Sequence, residues 1–185
     1  MGLTIKPPFE EIHDLAIATV VAFDWASYIE PDEGETEAVL PTVRPFRGVN
    51  PDPDEIPGII GHIDGDDPFA GDVGGDGYGV ADELRMDLAM SFKIYARLDT
   101  VLSGNDGSGY AQLGGYAVLV MKALKDAALD AGTPLGDAVL GVQEAGREPE
   151  PESTTDQGCL VQHVILTYRV DANDPTKLLR QGVDA

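Results

Sequence analysis

The feature that most constrains the fold is a strict alternation of apolar and polar residues between positions 84 and 98. A period of two is the period of a β-strand, so the pattern predicts one long strand with a buried face and a wet face. Fully extended at ~3.3 Å per residue, it would span about 50 Å, which leaves room for a bend or for a projection past its own domain. The apolar positions are Leu84, Met86, Leu88, Met90, Phe92, Ile94, Ala96 and Leu98, and Arg85, Asp87, Ser91, Lys93 and Arg97 lie between them.

Two amphipathic helices are predicted, one on each side of this strand in the sequence. The first covers residues 7–23, where two prolines suit a helix start and apolar residues recur at helical spacing. The second covers about 110–131, with Ser108 as a candidate N-cap and with Gly132 and Pro134 at its end. Both helices carry one apolar stripe, which predicts that they pack against a sheet.

Shorter strands are predicted at 39–46, 138–145 and 159–171. The first contains Pro41 and Pro45, which confine it to an edge or break it. Residues 147–158 are predicted as an acidic hairpin loop, 47–82 as a long Gly/Asp/Pro-rich loop or arm, and the tail from Asn173 as loosely held. The expected fold is α+β, a single domain over residues 1–185 whose mixed or antiparallel sheet has two helices packed on one face.

The charge of the chain limits its partners. Thirty-three acidic residues against 12 basic ones give a formal charge of −21, which repels nucleic-acid phosphates. A carboxylate-rich surface with only five lysines suits concentrated salt, which favours a halophilic source. Acidic proteins of mesophiles can have a similar composition, so both sources remain compatible with the sequence. No apolar run reaches the ~20 residues of a membrane span, and the N-terminus lacks a signal-peptide pattern, so we expect no membrane contact and a cytosolic or virion location.

One acidic segment invites a metal-binding interpretation. It offers hard oxygen ligands among glycines, and its aspartates are Asp64, Asp66, Asp67, Asp72, Asp76 and Asp82. Pro68 stands where an EF-hand loop needs a ligand, and Gly79 replaces the aspartate that a calcium-binding β-roll repeat requires. We therefore favour a solvated acidic loop and predict no metal site, and a calcium-binding module at Asp64–Asp82 is kept as the alternative.

No motif for catalysis is found, so the chain is predicted not to be an enzyme and to bind no cofactor. A nucleophile elbow, a phosphate-binding loop and a kinase signature are all absent from the sequence. His13, His62 and His163 have no His or Cys at ligand spacing, and the lone Cys159 excludes an internal disulfide. The scarce basic residues either balance local charge or pair across subunit interfaces. The interface candidates are Arg85, Lys93, Arg97, Arg44, Arg47 and Arg169.

The order of elements resembles that of the tail terminator (tail completion) proteins of long-tailed phages and related tailed viruses. The resemblance covers about two-thirds of the chain and includes the helix at 7–23 and the segment 36–43, with the sequence TEAVLPTV. It continues in the alternating strand at 83–95 and is greatest in the last third, where 139–144 leads through a polar loop to 163–170, HVILTYRV. Residues 47–82 have no counterpart in the family pattern.

Membership would imply a structural virion protein with no catalytic residues. Such proteins form a ring, usually a homohexamer, that caps the tail tube, ends its polymerisation and joins the tail to a head-completion or connector protein. The genome DNA would pass through the acidic lumen without specific binding, and the protein would lie at the head–tail junction after assembly in the host cytoplasm. The alternatives are another head–tail connector or tail tube component, the calcium-binding module, and a small enzyme built from scattered carboxylates.

Overall fold

The chain has the α+β architecture that the sequence predicts. A computed structural model describes residues 6–30, 39–46, 51–52, 55–68, 83–97, 108–149 and 157–181. Its sheet is mixed and has the strand order β1-β2-β3-β5-β4, with β6 paired to β5 beyond β4. The elements are α1 (Pro8–Ala22), β1 (Thr42–Pro45), β2 (Gly58–Pro68), β3 (Glu83–Arg97), α2 (Ser108–Leu129), α3 (Pro134–Ala138), β4 (Val139–Pro149), β5 (Gln157–Asp171) and β6 (Leu178–Leu179).

The alternating segment forms the long strand that its period predicts, and this strand lies at the centre of the sheet. β3 pairs antiparallel with β5 over all 15 of its residues, from Glu83 opposite Asp171 to Arg97 opposite Gln157. β2 pairs antiparallel with the other side of β3 over most of the same length. Because both sides of β3 already carry partners, the described strand neither projects from the domain nor offers an edge to a neighbouring subunit.

The prediction that residues 47–82 form a loop is wrong for positions 58–68, which are strand β2. Ile59 is 0% and Ile60 1% exposed, on opposite faces of the sheet. The Asp, Gly and Pro content of the segment favours irregular structure, but burial of these β-branched residues between β1 and β3 outweighs that local preference. Positions 51–52 and 55–57 are described and are not strand, and positions 47–50, 53–54 and 69–82 lie outside the described residues.

Both long helices pack on one face of the sheet, as predicted. Their stripes meet the even-numbered side chains of β3 and the matching residues of β5 in a single core. α1 lies close to β2 at Gly61, where an added Cβ would be 2.1 Å from Cδ1 of Ile17. Among the large side chains that are fully buried in this core are Ile12, Ile59, Leu88, Met90, Phe92, Ile94, Leu113, Leu124, Leu166 and Tyr168.

The C-terminal tail is held against the body, which differs from the expectation of a loose tail from residue 173. β6 pairs with Arg169 and Val170 of β5, and the side chain of Gln181 donates to the carbonyl of Val139. Arg180 forms ion pairs with Glu11 of α1 and with Asp137 of α3, a short helix that the sequence pattern does not predict. These partners are remote in sequence, so no local pattern reveals them.

The hairpin of β4 and β5 is longer than predicted. β4 continues to Pro149 and β5 begins at Gln157, so strand replaces both ends of the expected 147–158 loop. The fully buried amide of Gln162 donates to the carbonyl of Gly146 and accepts from Nε of Arg147 at 2.7 Å. Since Gly146 has a positive φ of 132° and lies at a shift in register, these bonds stabilise a bulge that local sequence cannot predict.

Candidate interaction surfaces

A row of polar side chains crosses four strands on the face of the sheet opposite the helices, here called the outer face. The hydroxyl of Ser91 on β3 donates to Oδ1 of Asp64 on β2 at 3.0 Å. The His163 ring on β5 has Nδ1 at 3.7 Å from Oδ2 of Asp64 and Nε2 at 3.3 Å from Oε1 of Glu148 on β4. The serine hydroxyl is bonded to a carboxylate and not to the imidazole, so the row lacks the pairing that activates a serine nucleophile. The contacts in this row connect the side chains of neighbouring strands.

Asp66 lies on the other face of β2 and is bonded to Tyr168. The tyrosine hydroxyl donates to Oδ1 of Asp66 at 2.7 Å at one end of the core. Burial raises the pKa of the Asp66 carboxyl, and the hydrogen bond from Tyr168 opposes part of that rise. Burial and the neighbouring Asp66 also raise the pKa of the Tyr168 hydroxyl. Burial thus disfavours the ionised form of both groups, which remain joined by this hydrogen bond.

The aspartates of the possible calcium site do not converge where they are described. Asp64 and Asp66 are bonded on opposite faces of β2, and Asp67 is exposed. Over the ranges that the structure describes, no three His, Cys, Asp or Glu side chains are placed to hold a metal ion. The other three aspartates of that set, at positions 72, 76 and 82, lie outside the described residues.

The predicted interface residues are scattered. Arg44 is ion-paired with Glu55, with 3.1 Å between Nη2 and Oε2, and Arg169 with Glu83, with 2.9 Å between Nη1 and Oε2. Arg85 lies exposed on the outer face, directly opposite Arg169 in the β3–β5 register. Lys93 is partly buried on the same face; position 47 and the side chain of residue 97 lie outside the described set. Among the candidates whose side chains are described, Arg85 and Arg169 are thus the pair that the sheet places directly opposite each other.

A groove at the β1 edge brings together His13 and His62, two histidines that are remote from each other in the sequence. Its lining residues are His13 on α1, Phe46 directly after β1, and Gly61, His62 and Ile63 on β2. The rings of Phe46 and His62 stack with centroids 4.3 Å apart. Proximity of β1 to α1 and β2 creates the groove, and the only local signal for it is an aromatic residue after a proline-bearing strand.

Within the described residues, large exposed apolar side chains lie at both edges of the sheet and on the helical side. Val39, Leu40, Phe46 and Ile63 flank β1, and Leu140 lies on β4 at the opposite edge of the sheet. The other set lies on the helical side: Val21, Tyr28, Val118 and Leu129. Clusters of exposed apolar residues are typical of protein–protein contacts, so the group around β1 is a candidate surface for assembly.

Comparison with known proteins gives no family assignment. The chain matches no protein-family model and no curated protein sequence. Within the part of the chain that the structure describes, no helix is both long enough and apolar enough to cross a bilayer. The resemblance to tail terminator proteins therefore rests on the sequence pattern alone.

Proposed function

We propose that this chain is a structural virion protein that forms a ring, of six copies in the usual family arrangement, at the end of a viral tail tube. The ring ends polymerisation of the tube and offers its other side to a head-completion or connector protein. The observation that carries the proposal is the arrangement of elements outside β2: a first helix, an edge strand, a long central strand, a second long helix and a final long hairpin. Strand β2 lies in the segment 47–82, which has no counterpart in the family pattern. Both long helices lie on one face, which leaves the outer face and two sheet edges for contacts between proteins.

The charge of the chain fits a ring through which DNA passes. At −21 per copy, a lumen lined by carboxylates repels the phosphate backbone and lets a genome slide without adhering to it. The same charge opposes association of copies in dilute buffer. Because molar salt reduces the Debye length to about 3 Å, ring closure is expected to be favoured by salt.

Arg85, an interface candidate on the outer face, also supports a role in assembly. No described residue forms an ion pair or hydrogen bond with Arg85, although the chain carries 33 acidic residues. Like charges directly opposite on neighbouring strands destabilise a sheet, and only Arg169 of this pair has Glu83 beside it. A carboxylate on a tube or connector protein would relieve that repulsion.

The calcium-binding alternative has less support. Asp64 and Asp66 already bond to Ser91 and Tyr168 on opposite faces of β2, so both would have to leave these partners to share an ion. No described feature favours a second function over the ring.

Particle mass measured by light scattering, with negative-stain images of the same samples, tests the proposal. The protein would be examined at rising concentration in low salt and in multimolar salt. A closed ring of fixed mass with a central hole, favoured by salt, is the expected result. Long open stacks would identify a tube protein instead, and a monomer under every condition would count against the ring.

A further inference from the structure

We draw no further inference here: the strongest candidate, the apolar surface around β1 with the groove between His13, Phe46 and His62, carries none because nothing in the described part of the chain shows what covers it.

Discussion

The hydroxyl of Tyr168 donates a hydrogen bond to Oδ1 of Asp66 at 2.7 Å, joining β5 to β2 across 102 positions of the sequence. Tyr168 is 1% exposed, and β3 lies between the two strands, so the bond spans the central strand of the sheet. Neither residue is marked by a local motif. The bond at this end of the core therefore depends on long-range packing, and no local pattern in the sequence predicts it.

Removing the hydroxyl should destabilise the protein. Tyr168→Phe leaves the ring in place but deprives Asp66 of its donor, and the expected loss in free energy of unfolding is about 1–2 kcal/mol. Urea denaturation followed by circular dichroism measures it. Tyr28→Phe is the control, because Tyr28 is exposed and contacts Phe23 only by ring stacking. Equal stability of the Tyr168 variant and the unchanged chain would show that the bond contributes nothing.

The stability difference between Asp66→Asn and the unchanged chain should depend on pH. Burial raises the pKa of the Asp66 carboxyl above its ordinary 3.8, so the folded state disfavours the ionised form. The unchanged chain therefore loses stability from this group as pH rises from 3.8 through the raised value, and an amide does not titrate there. The stability of the variant relative to the unchanged chain should rise over that interval and then level off. A relative stability that falls would contradict the assignment.

Three glycine substitutions should rank in a fixed order of stability. A Cβ at Gly136 would lie 2.1 Å from the carbonyl oxygen of Asp130, and one at Gly61 would lie 2.1 Å from the tip of Ile17. A backbone oxygen cannot move aside as a side chain can, so Gly136→Ala should cost at least about 2 kcal/mol and Gly61→Ala about 1 kcal/mol.

The matched control in that series is Gly115→Ala, which is expected to stabilise the protein. Apart from its chain neighbours and the adjacent backbone of α2, no atom lies within 4 Å of a Cβ added at Gly115, so the gain should be about 0.5–1 kcal/mol from helix propensity. Thermal unfolding monitored by the fluorescence of Trp25, the one tryptophan, ranks the three variants. Destabilisation by Gly115→Ala would indicate a close contact on that helix face.

The sequence predicts those parts of the fold whose signal is periodic. The alternation around Leu88 and the stripes of α1 and α2 encode burial on one side, and the structure confirms that packing. β2 was missed because the composition of its segment favours a loop, while its burial depends on β1 and β3. The groove at Phe46 and His62 was missed for the same reason, since its lining comes from elements far apart in the chain. Contacts between elements that are far apart in the chain produce no periodic pattern in the sequence.

The fixed position of the tail gives the last prediction. Arg180 forms ion pairs with Glu11 of α1 and with Asp137 of α3. Burial alone would lower the pKa of its guanidinium, but the two carboxylates outweigh burial and raise that pKa. Arg180→Met keeps much of the apolar stem but removes the charge, leaving two partly buried carboxylates without this partner. We expect a loss of about 1 kcal/mol in the free energy of unfolding.

Hydrogen exchange measured by mass spectrometry locates the effect of that change. The peptide containing β6 should exchange faster in Arg180→Met, because strand pairing at Leu178–Leu179 is too short to hold the tail without the ion pairs. Exchange in the β3–β5 ladder should be unaltered, since its 15 paired positions do not depend on the tail. Lys177→Met, on the turn before β6, removes a nearby positive charge that forms no ion pair among the described residues and is the control. Equal exchange in both variants would mean that the side chain of Gln181 and the β6 pairing alone hold the tail in place.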